Sequence, residues 1–160
     1  MLNVYIFIYY QTKYGTLFNL LTLFYFRDGL RTFQSTNYMR FHEILEKVAN
    51  EFTQHWNQWD INKLCSMMTE QVRLYSPMVK KVYPENEEMM IQGREEVRRY
   101  WIKLRNITGG YEVNQISIQK EDKVITTVNK IIGSDVVILE TLTLNQYAKI
   151  ETMKYEYIIE

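Results

Sequence analysis

The chain has 160 residues, with Lys plus Arg equal to Asp plus Glu at 19 each, and 46% apolar residues. That length suits one domain with a real core, and the mix excludes disordered, collagen-like and low-complexity chains. Zero formal charge gives no basic footprint, so no nucleic-acid partner is expected, and the single Cys65 excludes an internal disulfide framework or a multi-thiolate zinc site.

Residues 1–38 hold one acid (Asp28), three bases and 11 of the 23 aromatic residues. Gln11, Thr12, Lys13, Gly15 and Asn19 break this stretch into pieces too short to span a membrane, and no secretory signal pattern is visible. The expectation is an extension outside the folded domain, upstream of a natural start at Met39, with a loosely packed extension or a membrane-associating arm as the alternatives. The expected location is the cytoplasm.

From Met39 the pattern is legible. Phe41, Ile44, Leu45, Val48, Ala49, Phe52, Trp56 and Trp59 recur at helical spacing, with Glu43, Glu46, Lys47, Asn50 and Gln54 opposite. Asp60 caps a short second helix through Ile61, Leu64, Cys65 and Met68. Cys65 reads as inert packing. Val72 to Ser76 alternates as a strand stopped by Pro77, and residues 78–92 read as a polar connection carrying Lys80-Lys81 and Glu85 to Glu88. A third helix follows Gly93, with Val97, Trp101 and Leu104 on one face, and ends at Gly109-Gly110. Its acids come early and its bases late, complementing the helix dipole.

The remainder predicts an antiparallel meander of strands near 111–119, 123–132, 135–144 and 147–159. Helices followed by consecutive strands give an α+β class. The strand at 135–144 is apolar on both faces (Val136, Ile138, Leu142 and Leu144 against Val137 and Leu139), which predicts a homodimer covering the outer face.

The runs Phe52 to Ile61, Leu74-Tyr75-Ser76-Pro77 and Gly93 to Trp101 resemble the SnoaL-like branch of the nuclear transport factor 2-like superfamily, over about 39–160. The resemblance implies a cone-shaped curved antiparallel sheet on three N-terminal helices, enclosing a hydrophobic pocket. It also implies a choice among lyase, isomerase, hydrolase and non-catalytic binding or dimerisation modules, since this fold carries many functions. Carried over residue by residue, the steroid isomerases' general base falls on Ser76, a poor base near neutral pH. Their oxyanion-binding Tyr falls on Phe52, which has no donor. Their second oxyanion donor, a protonated Asp, falls on Glu140.

Glu140 lies between Ile138 and Leu142 on one strand face, where lost hydration raises a carboxyl's pKa, and it is the first catalytic candidate. An outward ion pair with Lys130 or Lys154 is the competing reading. His55 is the second candidate, as a proton shuttle beside the helix stripe, against a packed role at the core's rim. Candidate ligand-binding residues are Phe52, Trp56, Tyr75, Ser76, Trp101, Met153 and Tyr155, lining a site for a small apolar molecule, against plain core filling. No metal or cofactor is expected: His42 and His55 lack a ligand-spaced acid between them, and no phosphate loop, nucleophile elbow or thiol pair is present.

Overall fold

The computed structural model describes residues 41–159. The proposed extension at 1–38 and the start at Met39 lie outside the described residues. Helix α1 covers residues 41–57. It is followed by α2 (Ile61–Ser66), β1 (Met68–Tyr75), α3 (Val79–Val82), β2 (Met90–Gln92) and α4 (Arg94–Thr108). Then come β3 (Val113–Glu121), β4 (Val124–Ile131), β5 (Val136–Leu144) and β6 (Ile150–Ile159).

The apolar stripe of α1 leaves the helix at Trp59, whose φ of 54° breaks the helical run. Asp60 then caps α2 as expected, its side chain accepting from the Lys63 backbone N–H at 3.1 Å. Gly93 (φ 96°) opens α4 and Gly109 (φ 76°) closes it in the left-handed conformation that glycine adopts without strain. Among the described residues no helix is long and apolar enough to cross a membrane.

The six strands form one sheet in the order β2-β1-β6-β5-β4-β3. The class is α+β as expected, and three details differ from the sequence reading. Met68 begins β1 instead of ending α2, because its backbone pairs with Ile150. The polar connection 78–92 contains α3 and β2, two short elements without a periodic signature. The sheet is mixed: β1 pairs parallel to β6, while every other pairing is antiparallel. A parallel pairing between the first and last strands is a long-range choice that local alternation does not encode.

One sheet face carries the core. Leu74, Met153, Leu142 and Ile125 sit side by side across β1, β6, β5 and β4, each fully buried. The aromatic side chains of α1 and α4 close over that face, with Phe52 and Trp56 meeting the Trp101 ring edge-on at 6.1 and 5.7 Å. Polar side chains fix α1 across β3. Thr53 Oγ1 donates to Gln115 Oε1 at 2.9 Å, and Lys120 pairs with Glu46. Asn57 clamps the start of β3 twice, donating from Nδ2 to the Val113 carbonyl and accepting the Val113 N–H at Oδ1, both at 2.9 Å.

The Asn57 clamp gives a stability prediction. Asn57→Ala removes both bonds and leaves two backbone groups of a nearly buried residue unpaired, at about 1–3 kcal/mol in urea unfolding. Asn57→Asp keeps the acceptor for the Val113 N–H but sets a carboxylate oxygen against the Val113 carbonyl, and so does not restore wild-type stability.

Candidate functional site

Strand alternation sets up the site. One register step beyond the apolar row, Thr127, Glu140 and Tyr155 lie side by side on β4, β5 and β6, facing the helices. In the next row, Asn129 faces Ile138. Thr127, Asn129 and Glu140 are all buried, at 0%, 4% and 4% exposure.

These polar groups form a chain. Asn129 Nδ2 donates to Thr127 Oγ1 at 2.8 Å, and Thr127 Oγ1 donates to Glu140 Oε2 at 3.2 Å. The Tyr155 hydroxyl stands beside the same carboxyl and 3.7 Å from Met153 Sδ. Sulfur is a weak acceptor, so this O–H has the carboxylate as its stronger partner. Asn129 Oδ1 is buried and has no hydrogen-bond partner. An orphaned acceptor at this depth is costly unless water or a ligand donates to it.

Burial dominates the charge state of Glu140. It pushes the carboxyl up to about 7, with the Tyr155 and Thr127 hydroxyls pulling partly back. The Tyr155 phenol is held well above its ordinary value by burial and then by the neighbouring carboxyl. The carboxyl therefore exchanges its proton near neutrality while the phenol beside it stays protonated.

A cavity opens against this row, lined by Phe52, Thr53 and Trp56 of α1, Tyr111 and Val113 at the start of β3, and Asn129, Ile138, Glu140 and Tyr155 of the sheet. Its open volume is about 20 Å³, room for one or two water molecules. Beside it lies a second buried polar group. Tyr100 donates to Ser76 Oγ at 3.5 Å, and the Tyr157 hydroxyl approaches both Ser76 and Tyr111.

Of the residues singled out in the sequence, Glu140, Phe52, Trp56 and Tyr155 are brought together on the cavity wall. Ser76 belongs to the neighbouring tyrosine group and also accepts the Met78 N–H. Trp101 and Met153 are core, at 1% and 0% exposure, packed behind the lining. Tyr75 pairs with Lys154, one step out of phase with the core pair Leu74 and Met153, so it lies on the opposite sheet face from Glu140. His55 is absent from the cavity lining, and its buried Nδ1 has no hydrogen-bond partner. The outward ion pair weighed for Glu140 does not form: its side chain faces inward among Ile138 and Leu142. Cys65 is buried as expected, and burial raises its thiol.

Sequence reasoning missed Thr127, Asn129 and Tyr111. The first two had a signal, since they alternate with Ile125 and Ile131 and so share the inward face of β4. Tyr111 had none beyond following Gly109-Gly110.

The Glu140 environment predicts a pH-dependent stability. The folded carboxyl titrates at about 7 against 4.5 for the free group. The protonated form is thus favoured by folding, and its contribution is complete below the unfolded value and lost as pH rises through the folded one. Wild type should lose on the order of 3 kcal/mol between pH 4.5 and 8 relative to Glu140→Gln. Parallel curves for the two proteins in urea unfolding would overturn the assignment.

No family model matches the chain, and no curated protein matches it. Solved structures do. A SnoaL-like protein of unknown function from Burkholderia thailandensis superposes with a TM-score of 0.65 at 15% identity, covering 72% of this chain and 96% of that one. A nuclear transport factor 2-like protein of unknown function from Burkholderia pseudomallei gives 0.59 at 10% identity, covering 72% and 92%. An epoxide hydrolase/cyclase-like enzyme of pyran-ring formation in the polyether salinomycin gives 0.58 at 15% identity, covering 74% and 93%. These superpositions show that the chain has a SnoaL-like, nuclear transport factor 2-like fold.

Proposed function

We propose that this protein binds a small apolar molecule in the cavity against β4–β6, and that Glu140 exchanges a proton with it as a lyase, isomerase or hydrolase. The observation that carries this is a carboxyl buried at 4% exposure, opening onto a cavity whose lining also holds Asn129, whose buried Oδ1 lacks a donor. A group poised near neutrality donates and accepts protons with comparable ease, which is what acid–base work requires. The salinomycin enzyme lends the chemistry plausibility only at the level of fold, because the shared scaffold does not transmit a reaction.

Two features favour the non-catalytic reading, in which the same cavity merely holds a ligand. Glu140 is the sole carboxylate or imidazole in the lining, and the open volume is about 20 Å³. The experiment that separates them screens apolar epoxides, enones and hydroxy-ketones for turnover by wild type and Glu140→Gln. Under the catalytic reading, kcat/KM follows a group near pH 7 and falls about 10²–10⁴-fold in the variant. Equal binding without turnover by either protein would leave a binding module.

The homodimer also stands as a proposal. Val128 and Leu139 pair on the outer sheet face, and Ile158, on that same face, is 52% exposed. Sedimentation at micromolar concentration should show a dimer, and a monomer alone would remove the idea.

A further inference from the structure

Tyr111 walls more than the inner cavity. The same ring borders a slot between Trp56, Trp59, Leu104 and Arg105, and an outer groove of about 340 Å³ that also includes Asn57, Gly110, Glu112 and Ile132. Trp56 and Tyr111, 5.5 Å apart between ring centres, line both the Glu140 chamber and this slot and so stand between the two. The segment that carries Tyr111 runs between two tied ends. Thr108 is tied to Leu104 at the end of α4, and Val113 is clamped twice by Asn57. Between them, Gly109 and Gly110 both have positive φ (76° and 77°), a conformation that glycine adopts without strain and other residues resist.

A charge waits in the outer groove. The Arg105 guanidinium carbon lies over the Trp59 ring, 4.4 Å from its centre. On its other side is the Gly110 backbone, where a Cβ would come within 3.2 Å of Arg105 Nε. The guanidinium thus lies against both an indole and a glycine, and among the described residues it has no ion pair with a carboxylate. Stacking leaves its planar edge free for an oxyanion, the geometry for which Arg is suited. Glu112 shares the groove and opposes an anion there.

We infer that the inner chamber and the outer groove are two halves of one ligand site for an elongated amphipathic carboxylate, with Tyr111 as the door between them. The apolar end enters past Tyr111 toward Glu140, and the carboxylate stays outside on Arg105. The opposite orientation would set two carboxyl groups against each other in a dry chamber. The inference rests on the cavity being a ligand site, and it adds the ligand's charge, its direction and its route.

Decanoate, decanol and decylamine, titrated into the full chain by calorimetry and Trp fluorescence, test both levels. Decanoate should bind about tenfold tighter than decanol, with decylamine weakest. Arg105→Gln should reduce decanoate to the affinity of decanol without changing decanol itself, and Glu112→Gln should tighten decanoate. Tyr111→Ala should speed the association of all three. Decanol that binds wild type with no decanoate preference, or a preference surviving in Arg105→Gln, overturns the inference and spares the cavity reading. Failure of decanol to bind even Tyr111→Ala overturns both. Circular dichroism of Arg105→Gln, an exposed position, checks that the fold is intact.

Discussion

A carboxyl taken out of water dictates its surroundings. An unpaired carboxylate in an apolar interior is prohibitively costly, so such a group either finds a cation or keeps its proton. Glu140 has no cation in its row; its neighbours are the hydroxyls of Thr127 and Tyr155, on the strands to either side. The result is a group held near the midpoint of its titration at neutral pH. Asn129 extends the row by orienting Thr127, because its amide N–H occupies one lone pair of the Thr127 oxygen and frees that O–H for the carboxyl. Once the carboxyl is in place, the rest of the inward face is constrained. One row along, the same strands carry only Leu74, Met153, Leu142 and Ile125, which hold the helices down and keep water out.

This division into an apolar and a polar row explains why the fold was legible from sequence and the site only in part. Two-residue alternation identifies which side chains share a strand face, and it placed Ile138, Glu140 and Leu142 together. It also set β5 within a residue of its observed bounds, 135–144 against Val136–Leu144. Alternation does not say which strands are neighbours. Tyr75 illustrates the consequence: as an aromatic in a strand near Pro77 it read as pocket-lining, but the parallel register with β6 turns it to Lys154 on the other face. His55 lies off the cavity wall for a similar reason on a helix. It stands three residues from Phe52, yet the cavity wall takes Phe52, Thr53 and Trp56, with the intervening positions turned elsewhere. The resemblance-based assignments fared unevenly for a chemical reason. Glu140 keeps a carboxyl where a protonated acid was implied, whereas Ser76 serves the Tyr100 hydroxyl and the Met78 N–H and takes no place on the cavity wall.

The small inner volume follows from the same packing. Phe52 and Trp56 fill most of the space between α1 and the sheet, each braced edge-on by Trp101, and Tyr111 leans against Trp56. Trp101 is fully enclosed and cannot give way without disturbing α4. Tyr111 alone among these rings is attached to a turn, preceded by two glycines with positive φ. Any enlargement of the chamber is therefore cheapest on that side. The rigid half of the wall sets the shape of the site, and the turn sets its access.

The number of titrating groups also bears on which chemistry suits the proposed function. Hydrolysis by water needs one group to activate the nucleophile and another to protonate the leaving group, usually on opposite sides of the substrate. The cavity wall offers one carboxyl, with phenols whose buried protons are held far more tightly. A single group that takes a proton at one carbon and returns it elsewhere satisfies the balance of an isomerisation. It also serves an elimination or a cyclisation in which the substrate supplies its own nucleophile. In each case Tyr155 and Thr127 stabilise the carboxylate while the proton is on the substrate, and the donor missing from Asn129 Oδ1 is one that a substrate hydroxyl can fill. Under the proposed function, a single carboxyl in the lining suits intramolecular proton transfer better than attack by bulk water.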